Sequence, residues 1–172
     1  MNASSGVEIR EARPADAPTL AGLRYEFRAG VQPPVEAARS FLERCESWMT
    51  RRLAPGSVWR CWLAHESGAP VGSVWLQLLE KIPNPVGEAE LYGYVSSLFV
   101  RAEYRGKGVG TSLLTACLDL CESRGADSVF LWPTPKSRPL YERHGFAVRD
   151  DLLERRLTRL ARGRDPIQSM TS

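Results

Sequence analysis

The sequence predicts an α/β (α+β) domain whose elements follow the order β-α-α-β-β-β-α-β-α-β-β. Three observations predict it. Apolar residues recur at steps of three and four in separate stretches, which is typical of amphipathic helices. Short apolar runs between these stretches indicate strands, and clusters of Gly and Pro separate the segments. The length of 172 residues fits one domain, predicted over 1–161, with a polar tail over 162–172.

The first half of the chain is predicted to contain a strand, two helices and a hairpin. Asp16 is a candidate N-cap for the first helix, and Pro33-Pro34 separates that helix from the second. Pro55-Gly56 ends the second helix, and a Ser-Gly-Ala-Pro turn joins the two strands that follow. The predicted bounds, in chain order, are 7–10, 17–28, 35–53, 58–64 and 71–79.

The second half is predicted to alternate strands and helices. A long strand, bent by a β-bulge near Gly93, leads to a helix that Gly125 ends. A fifth strand precedes a short helix that begins at Arg138 or Pro139 and ends at Gly145. A final pair of strands follows. The predicted bounds are 88–100, 109–124 and 128–132 for the first three elements, and 146–148 and 152–157 for the last strands.

Composition and charge argue against several classes of partner. The chain has 43% hydrophobic and 25% charged residues and a formal net charge of +3. Because no block of Lys or Arg is long enough for a nucleic-acid arm, we expect no nucleic-acid partner. Residues 1–18 contain no apolar run, and no segment approaches the length of a transmembrane helix. We therefore expect no signal peptide, no membrane contact and a cytoplasmic location.

The cysteines and histidines give no metal site. The two histidines lie at no recognisable ligand spacing, and the cysteines form no Cys-x-x-Cys pair. Two of the cysteines fall four residues apart on the apolar face of a predicted helix. We expect buried thiols in a reducing compartment and no metal cofactor. The four cysteines are Cys45, Cys61, Cys117 and Cys121.

The stretch 95–114, VSSLFVRAEYRGKGVGTSLL, carries the strongest functional signal. An apolar strand enters a turn in which Gly106, Gly108 and Gly110 alternate with charged or apolar residues, and a helix follows at once. The unpaired N–H groups and positive dipole of a helix N-terminus, with Arg105 and Lys107, favour a pyrophosphate. The spacing fits neither a Walker nor a dinucleotide-binding motif. The alternative is a tight glycine turn that binds nothing.

A second motif lies at 130–147, FLWPTPKSRPLYERHGFA. Together the two motifs resemble the (Q/R)-x-x-G-x-(G/A) turn and the "LYe..GF" signature of the GNAT superfamily of N-acetyltransferases. The resemblance implies the GNAT fold, a mixed, mostly antiparallel sheet of six to seven strands with helices on both faces. It also implies that strands four and five splay apart and admit acetyl-CoA as co-substrate. Tyr141 is then the general acid for the leaving thiolate, or alternatively an aromatic residue packed on the sheet.

The same resemblance implies the cofactor contacts. The turn holds the pyrophosphate, the fourth strand pairs with the pantetheine arm, and an N–H of Leu98 or Phe99 polarises the thioester carbonyl. Many members carry Asn where this chain has Thr134. The implied cofactor-binding residues are Leu98, Phe99, Val100, Arg105, Gly106, Lys107, Gly108, Val109, Gly110, Thr111, Thr134 and Ser137.

The general base is left open by the sequence. Histone-acetylating members use a Glu on the fourth strand, but Tyr94 occupies that position here. Glu90 shares a strand face with Tyr94 if the strand is regular. Glu90 could deprotonate the amine through a water, attract a cationic substrate, or be a solvated carboxylate at the strand end.

The sequence therefore predicts an N-acetyltransferase that transfers an acetyl group from acetyl-CoA to a primary amine of a small molecule. We expect the acceptor site to be formed by the first two helices, their loop at 29–35 and the loop at 81–87, and a homodimer is possible. The aromatic residues that would line this site, or alternatively pack in the core, are Tyr25, Phe27, Trp48, Trp75 and Tyr92. The alternatives are a peptide or protein N-acetyltransferase and a catalytically silent module that binds acyl-CoA.

Overall fold

The computed structural model describes residues 6–155 and 157. Nine helices and strands are found there, together with short 3-10 turns at Pro14–Asp16 and Ala102–Tyr104. The helices and strands are β1 (Val7–Glu11), α1 (Ala17–Ala29), α2 (Ala38–Arg52), β2 (Trp59–Glu66), β3 (Ala69–Glu80), β4 (Leu91–Val100), α3 (Val109–Ser123), β5 (Ser128–Phe130) and α4 (Arg138–Glu142).

The five strands form one sheet in the order β1-β2-β3-β4-β5. All neighbours are antiparallel except β4 and β5, which are parallel. One buried cluster places α1 and α2 against one face of the sheet, and a second places α3 and α4 against the other. The predicted mixed, mostly antiparallel sheet with helices on both faces is confirmed.

The predicted final strand pair is the main error in the fold prediction. Neither 146–148 nor the described part of 152–157 is a strand, so the sheet has five strands rather than six or seven. Val148 and Leu153 are 77% and 94% exposed, and Phe146 packs against Tyr141 instead. A short apolar segment forms a strand only if it pairs with a free edge of a sheet. The described residues of these two segments pair with no strand of this sheet. The predicted tail at 162–172 lies outside the described residues.

The bulge in β4 lies at Ser97, and the prediction of a bulge near Gly93 is wrong. Ser73 pairs with Phe99 whereas Trp75 pairs with Ser96, so β4 has one extra residue between them. Ser97 has a left-handed φ of 54°, which few non-glycine residues adopt. Gly93 is in regular register. A Cβ there would lie 2.7 Å from Sγ of Cys121, so this glycine lets α3 approach the sheet.

One predicted helix start and one predicted capping bond also differ from the structure. The second helix begins at Ala38 rather than at 35, because Ala37 is extended and Val35 is 98% exposed. Asp16 precedes α1 as predicted, but its carboxylate makes no capping bond to that helix. It accepts hydrogen bonds from Arg10 and from the backbone N–H of Arg13 instead. This network fixes the connection between β1 and α1.

Candidate functional site

The sheet opens between β4 and β5. The two strands pair only over Tyr92–Tyr94 and Ser128–Phe130, so the β4 edge from 95 to 100 has no strand partner on that side within the described residues. At the last paired position the Tyr94 ring stacks on Phe130, with centroids 5.4 Å apart, and Trp132 lies edge-on at 5.1 Å from Tyr94. An aromatic cluster therefore closes the narrow end of a crevice whose edge offers free backbone groups.

The bulge sets which way the residues beside this crevice face. Val95 and Leu98 both pack against the α3 side of the sheet, although they are three positions apart and a regular strand would place them on opposite faces. Phe99 faces α1, where its ring stacks on Phe27 at 5.3 Å, and Val100 faces α3. The predicted contacts Leu98, Phe99 and Val100 therefore lie along the unpaired edge.

The glycine turn lies at the end of β4, between that edge and α3. Gly106 and Gly108 have φ values of 75° and 83°, and a Cβ at either position would meet nothing within 4 Å. The first backbone bond of α3 runs from the Ser112 N–H to the Gly108 carbonyl, at 3.0 Å. The N–H groups of the three preceding residues thus have no helical partner. Exposed amides and the positive end of the helix dipole converge on open space.

The basic side chains of the turn are folded back onto the protein. Nε of Arg105 donates to the Val100 carbonyl at 2.8 Å, and Nζ of Lys107 lies 5.0 Å from the centroid of the Tyr104 ring. Thr111 is exposed in the first turn of α3, whereas Val109 is buried. A Cβ on Gly110 would lie 3.5 Å from Leu140, an ordinary contact. The main chain, rather than the basic side chains, supplies the donors that face the open space.

Tyr141 lies on α4 and is 9% exposed. Its ring packs edge-on against Phe146, with centroids 5.8 Å apart. Burial raises the pKa of the Tyr141 hydroxyl, the nearby Ser137 side chain opposes that rise, and Cys117 on α3 adds to it. A hydroxyl with a raised pKa keeps its proton at neutral pH, so it can donate but not act as a base. Tyr141 also belongs to the core cluster beneath α3.

Thr134 and Ser137 bond to each other. The Thr134 N–H donates to Oγ of Ser137 at 2.9 Å, and the Ser137 N–H donates to Oγ1 of Thr134 at 3.2 Å. The N–H of Arg138 bonds the Thr134 carbonyl at 3.0 Å. These contacts fix the chain entering α4 and so orient Tyr141.

Glu90 lies just before β4 and is engaged in a loop. Its Oε1 accepts from the Asn84 N–H at 2.9 Å, and its carbonyl accepts from the Lys81 N–H at 2.8 Å. The β4–β5 pairing at Tyr92–Tyr94 separates it from the crevice. Seven extended residues span roughly 23 Å, which separates Glu90 from the bulge at Ser97. Of the three interpretations of Glu90, this geometry favours the carboxylate at the strand end.

Sequence reasoning missed Arg24 on α1. Its Nη1 donates to Oγ of Ser97 at 2.9 Å. The available signal was position: Arg24 falls on the apolar stripe formed by Leu20, Leu23 and Phe27, where a charge is costly without a partner. Sequence reasoning also missed the exposed Trp132. Its position beside the crevice follows from its ring contacts with Tyr94 and Phe130, which the sequence does not show.

A cavity of about 210 Å³ lies at the α1–α2 connection, where one part of the acceptor site was predicted, but the loop at 81–87 does not line it. Of the aromatic residues considered for that site, Tyr25 lines this cavity and Trp75 is 4% exposed in the core. The remaining lining residues are Arg28, Ala29, Gln32, Pro33, Pro34, Val35, Glu36 and Phe41.

Across the described part of the chain, no three potential metal-ligating side chains come together. In the same ranges, no helix combines the length and the apolar character needed to span a membrane. Cys45, Cys61, Cys117 and Cys121 are free thiols, three of them buried, and burial raises the pKa of Cys121 to about 11.

Comparison with known proteins gives partial matches to several transferases. Over 58% of this chain and 65% of the relative, the chain is 33% identical to glucosamine 6-phosphate N-acetyltransferase of Trypanosoma brucei brucei. Over 33% of this chain and 39% of the relative, it is 39% identical to N-alpha-acetyltransferase 30 of Schizosaccharomyces pombe. The matches span between 28% and 65% of the length of the curated relatives.

A solved structure shares the fold at low identity. It is described as a predicted acetyltransferase with acetyl-CoA from Clostridium acetobutylicum, and it covers 88% of this chain and 96% of its own. The TM-score is 0.70 and the identity 20%. Residues 26–146 match the acetyltransferase (GNAT) family, and this range runs from α1 through the crevice and the glycine turn to α4. The chain therefore belongs to the acetyltransferase (GNAT) family.

Proposed function

We propose that this protein transfers an acetyl group from acetyl-CoA directly to a primary amine of a small molecule. One observation carries the proposal: the unpartnered N–H groups at the start of α3 lie at the mouth of the crevice between β4 and β5. A diphosphate needs such a cluster of main-chain donors, and the thioester arm beside it needs an unpaired strand edge. Both stand at one end of β4.

The residues present fit acetyl-CoA. The left-handed turn at Gly106 and Gly108 leaves open space where side chains would stand, so phosphate oxygens can approach the backbone. Arg105 and Lys107 are exposed and can move from their present contacts to add positive charge. When bound, acetyl-CoA supplies an acyl group already activated as a thioester.

The edge of β4 would orient the arm that carries this thioester. Leu98, Phe99 and Val100 would form main-chain hydrogen bonds with it, as an added strand does. An N–H freed by the bulge at Ser97 would donate to the carbonyl oxygen as negative charge develops there. Such a donor typically contributes roughly 3 kcal/mol to lowering the barrier.

Tyr141 would donate the proton that the departing thiolate needs. The raised pKa of its hydroxyl keeps that proton in place at neutral pH. Thr134 and Ser137 would orient Tyr141 indirectly, because their mutual hydrogen bonds fix the chain that enters α4. Glu90 is retained only as a candidate for attracting the amine or relaying its proton through water.

The acceptor is proposed to be a small amine. The Trypanosoma brucei brucei relative, named for glucosamine 6-phosphate, matches over the larger part of this chain. The Schizosaccharomyces pombe relative, an N-alpha-acetyltransferase, matches over a shorter part at higher identity and supports a peptide N-terminus as the second candidate.

The test measures binding and turnover separately. Calorimetry with acetyl-CoA and with S-acetylpantetheine, which has the thioester arm but lacks the diphosphate, reports on diphosphate binding by the glycine turn. Release of free CoA, followed with a thiol reagent, reports on turnover with small amines and with peptides that have a free N-terminus. Faster turnover of small amines supports the proposal, and faster turnover of peptides supports the second candidate. Tight acetyl-CoA binding without turnover of any amine would indicate a binding module instead.

A further inference from the structure

Two arginines on α1 have no acidic partner among the residues that the structure describes. Arg24 and Arg28 lie one helical turn apart, and neither forms an ion pair with any described residue. The carboxylate between them, Glu26, is paired with Arg101 at 2.9 Å. Like charges at this spacing destabilise a helix. The pair therefore carries an electrostatic cost that no carboxylate of the described residues offsets through an ion pair.

Arg24 is half-buried against the bulge of β4. Its Nη1 donates to the neutral hydroxyl of Ser97 on the bulge. Burial lowers the pKa of the Arg24 guanidinium, and the neighbouring Arg28 lowers it further, yet a guanidinium stays charged. A guanidinium has several N–H donors, and one bond to a hydroxyl leaves the rest available.

Both arginines lie near the Phe27 ring on the α1 side of the sheet. Their guanidinium carbons lie 5.7 and 5.8 Å from the centroid of the Phe27 ring, and that ring stacks on Phe99 of β4. Arg28 also lines the 210 Å³ cavity at the α1–α2 connection. The acid on that cavity wall, Glu36, is already paired with Arg44. Positive charge thus extends from the cavity to the strand edge.

We propose that the acceptor amine carries an anionic oxyacid group, a phosphate or a carboxylate, that Arg24 and Arg28 bind. The inference rests on the proposed function, since it concerns the acceptor of that transfer. Guanidinium groups bind both kinds of oxyanion with paired, charge-assisted hydrogen bonds. An anion between the two arginines would offset their mutual repulsion and hold the amine on the α1 side of the crevice.

A purely structural role for Arg24, holding the bulge through Ser97, would not involve Arg28. Arg28 is exposed and its described contact is with the Phe27 ring. Arg28→Gln therefore removes a charge without disturbing β4 and is the informative variant. Arg51→Gln is the matched control, because Arg51 is also an exposed helical arginine, and its described side-chain bond is to Ser47 on α2 itself.

The experiment compares matched amines that differ in one anionic group. The pairs are glucosamine with glucosamine 6-phosphate, and 5-aminopentanamide with 5-aminopentanoate. We expect kcat/KM for the anionic member of at least one pair to exceed that of its neutral partner by about tenfold or more, the size of one charge-assisted contact. In Arg28→Gln this preference falls through a raised KM for the anionic member. Arg51→Gln keeps the preference.

The outcomes separate this inference from the proposed function. Equal turnover of both members of each pair, unchanged in Arg28→Gln, overturns the anionic acceptor and keeps acetyl transfer. If no amine is turned over, calorimetry with glucosamine 6-phosphate and 5-aminopentanoate decides. Binding that Arg28→Gln weakens and Arg51→Gln leaves intact supports the anion site without acetyl transfer. The absence of both turnover and binding overturns the anion site. A preference seen only in the glucosamine pair identifies the bound group as a phosphate, and one seen only in the aminopentanoate pair identifies it as a carboxylate.

Discussion

Arg24 of α1 donates a hydrogen bond to the hydroxyl of Ser97 at 2.9 Å, across 73 positions of the chain. This bond joins a helix on one face of the sheet to the residue that bulges β4 with a φ of 54°. The bulge in turn places Leu98 and Phe99 along the crevice. The helix that borders the proposed acceptor site therefore also fixes the geometry of the proposed cofactor edge.

Ser97→Ala tests this connection. It removes the hydroxyl and keeps the left-handed strain, so we expect a loss of about 1.5–3 kcal/mol in the free energy of unfolding, typical of a hydrogen bond to a charged group. Ser97→Gly removes the same hydroxyl but relieves strain of roughly 1–2 kcal/mol, so it is the milder change. Urea unfolding measures both. Ser67 has a similar φ of 51° in an exposed turn, and Ser67→Ala is expected to be neutral. Equal losses at the two sites would contradict the role of Arg24.

Gly108→Ala tests the glycine turn. A Cβ would meet nothing in the protein, but it would occupy the open space and strain a φ of 83°. We expect a stability loss of about 1–2 kcal/mol from the left-handed conformation and a larger loss of acetyl-CoA affinity, measured by calorimetry. Gly56→Ala is the control, since Gly56 has a φ of 81° and equally open surroundings. It should show the same stability loss with unchanged affinity.

Tyr141→Phe tests the proposed acid. The phenylalanine keeps the packing against Phe146, so the melting temperature should change little. We expect kcat to fall by roughly 10²–10⁴-fold, the usual contribution of general acid catalysis. Since burial raises the pKa of this hydroxyl, the wild type loses activity only as pH rises above the ordinary range for tyrosine. That alkaline limb should be absent in the variant. Undiminished turnover would leave Tyr141 as a packing residue.

Glu90→Gln separates the interpretations of this carboxylate. Because Oε1 accepts from the Asn84 N–H and the glutamine carbonyl can do the same, we expect the loop and kcat to be preserved. A general base would lose roughly 10²-fold or more in kcat on the same change. The kcat of the two proteins at pH 7 and pH 9 distinguishes these outcomes, since a neutral amine at the higher pH needs no base.

Local patterns in the sequence predicted most elements and the position of the cofactor turn. The helix after the glycines begins at Val109, and Gly125 follows its C-cap with a φ of 65°, as expected, because glycine and proline act on their own backbone. The last helix instead ends at Glu142, three residues before Gly145, the residue predicted to end it. The bulge was misplaced because Gly93 is conformationally permissive whereas Ser97 is not. Ser97 adopts its conformation under a contact from Arg24 that no local pattern contains.

The acceptor side could be predicted only in outline. Aromatic residues indicated an apolar wall near α1 and α2, but their division between core and cavity depends on packing. Trp75 is buried while Tyr25 lines the cavity, and both are ordinary amphipathic positions in the sequence. The sequence likewise does not show that Arg24 and Arg28 lack ion pairs among the described residues. This follows from the structure, in which the nearby acids Glu26 and Glu36 pair with Arg101 and Arg44.

Asp16 makes the fold sensitive to acid. A hydrogen bond from Arg10 lowers the pKa of this carboxyl from 3.8 to about 2. A group with a depressed folded-state pKa stabilises the protein above its unfolded pKa, and that stability is lost as pH falls from about 3.8 to about 2. Asp16→Asn should therefore lower the free energy of unfolding by about 1 kcal/mol at pH 7, and the difference from wild type should vanish near pH 2. Urea unfolding across this range measures it. Glu43→Gln, which removes an exposed ion pair with Arg39, should show almost no difference at either pH; an equal effect there would mean that the Arg10–Asp16 bond has no special role.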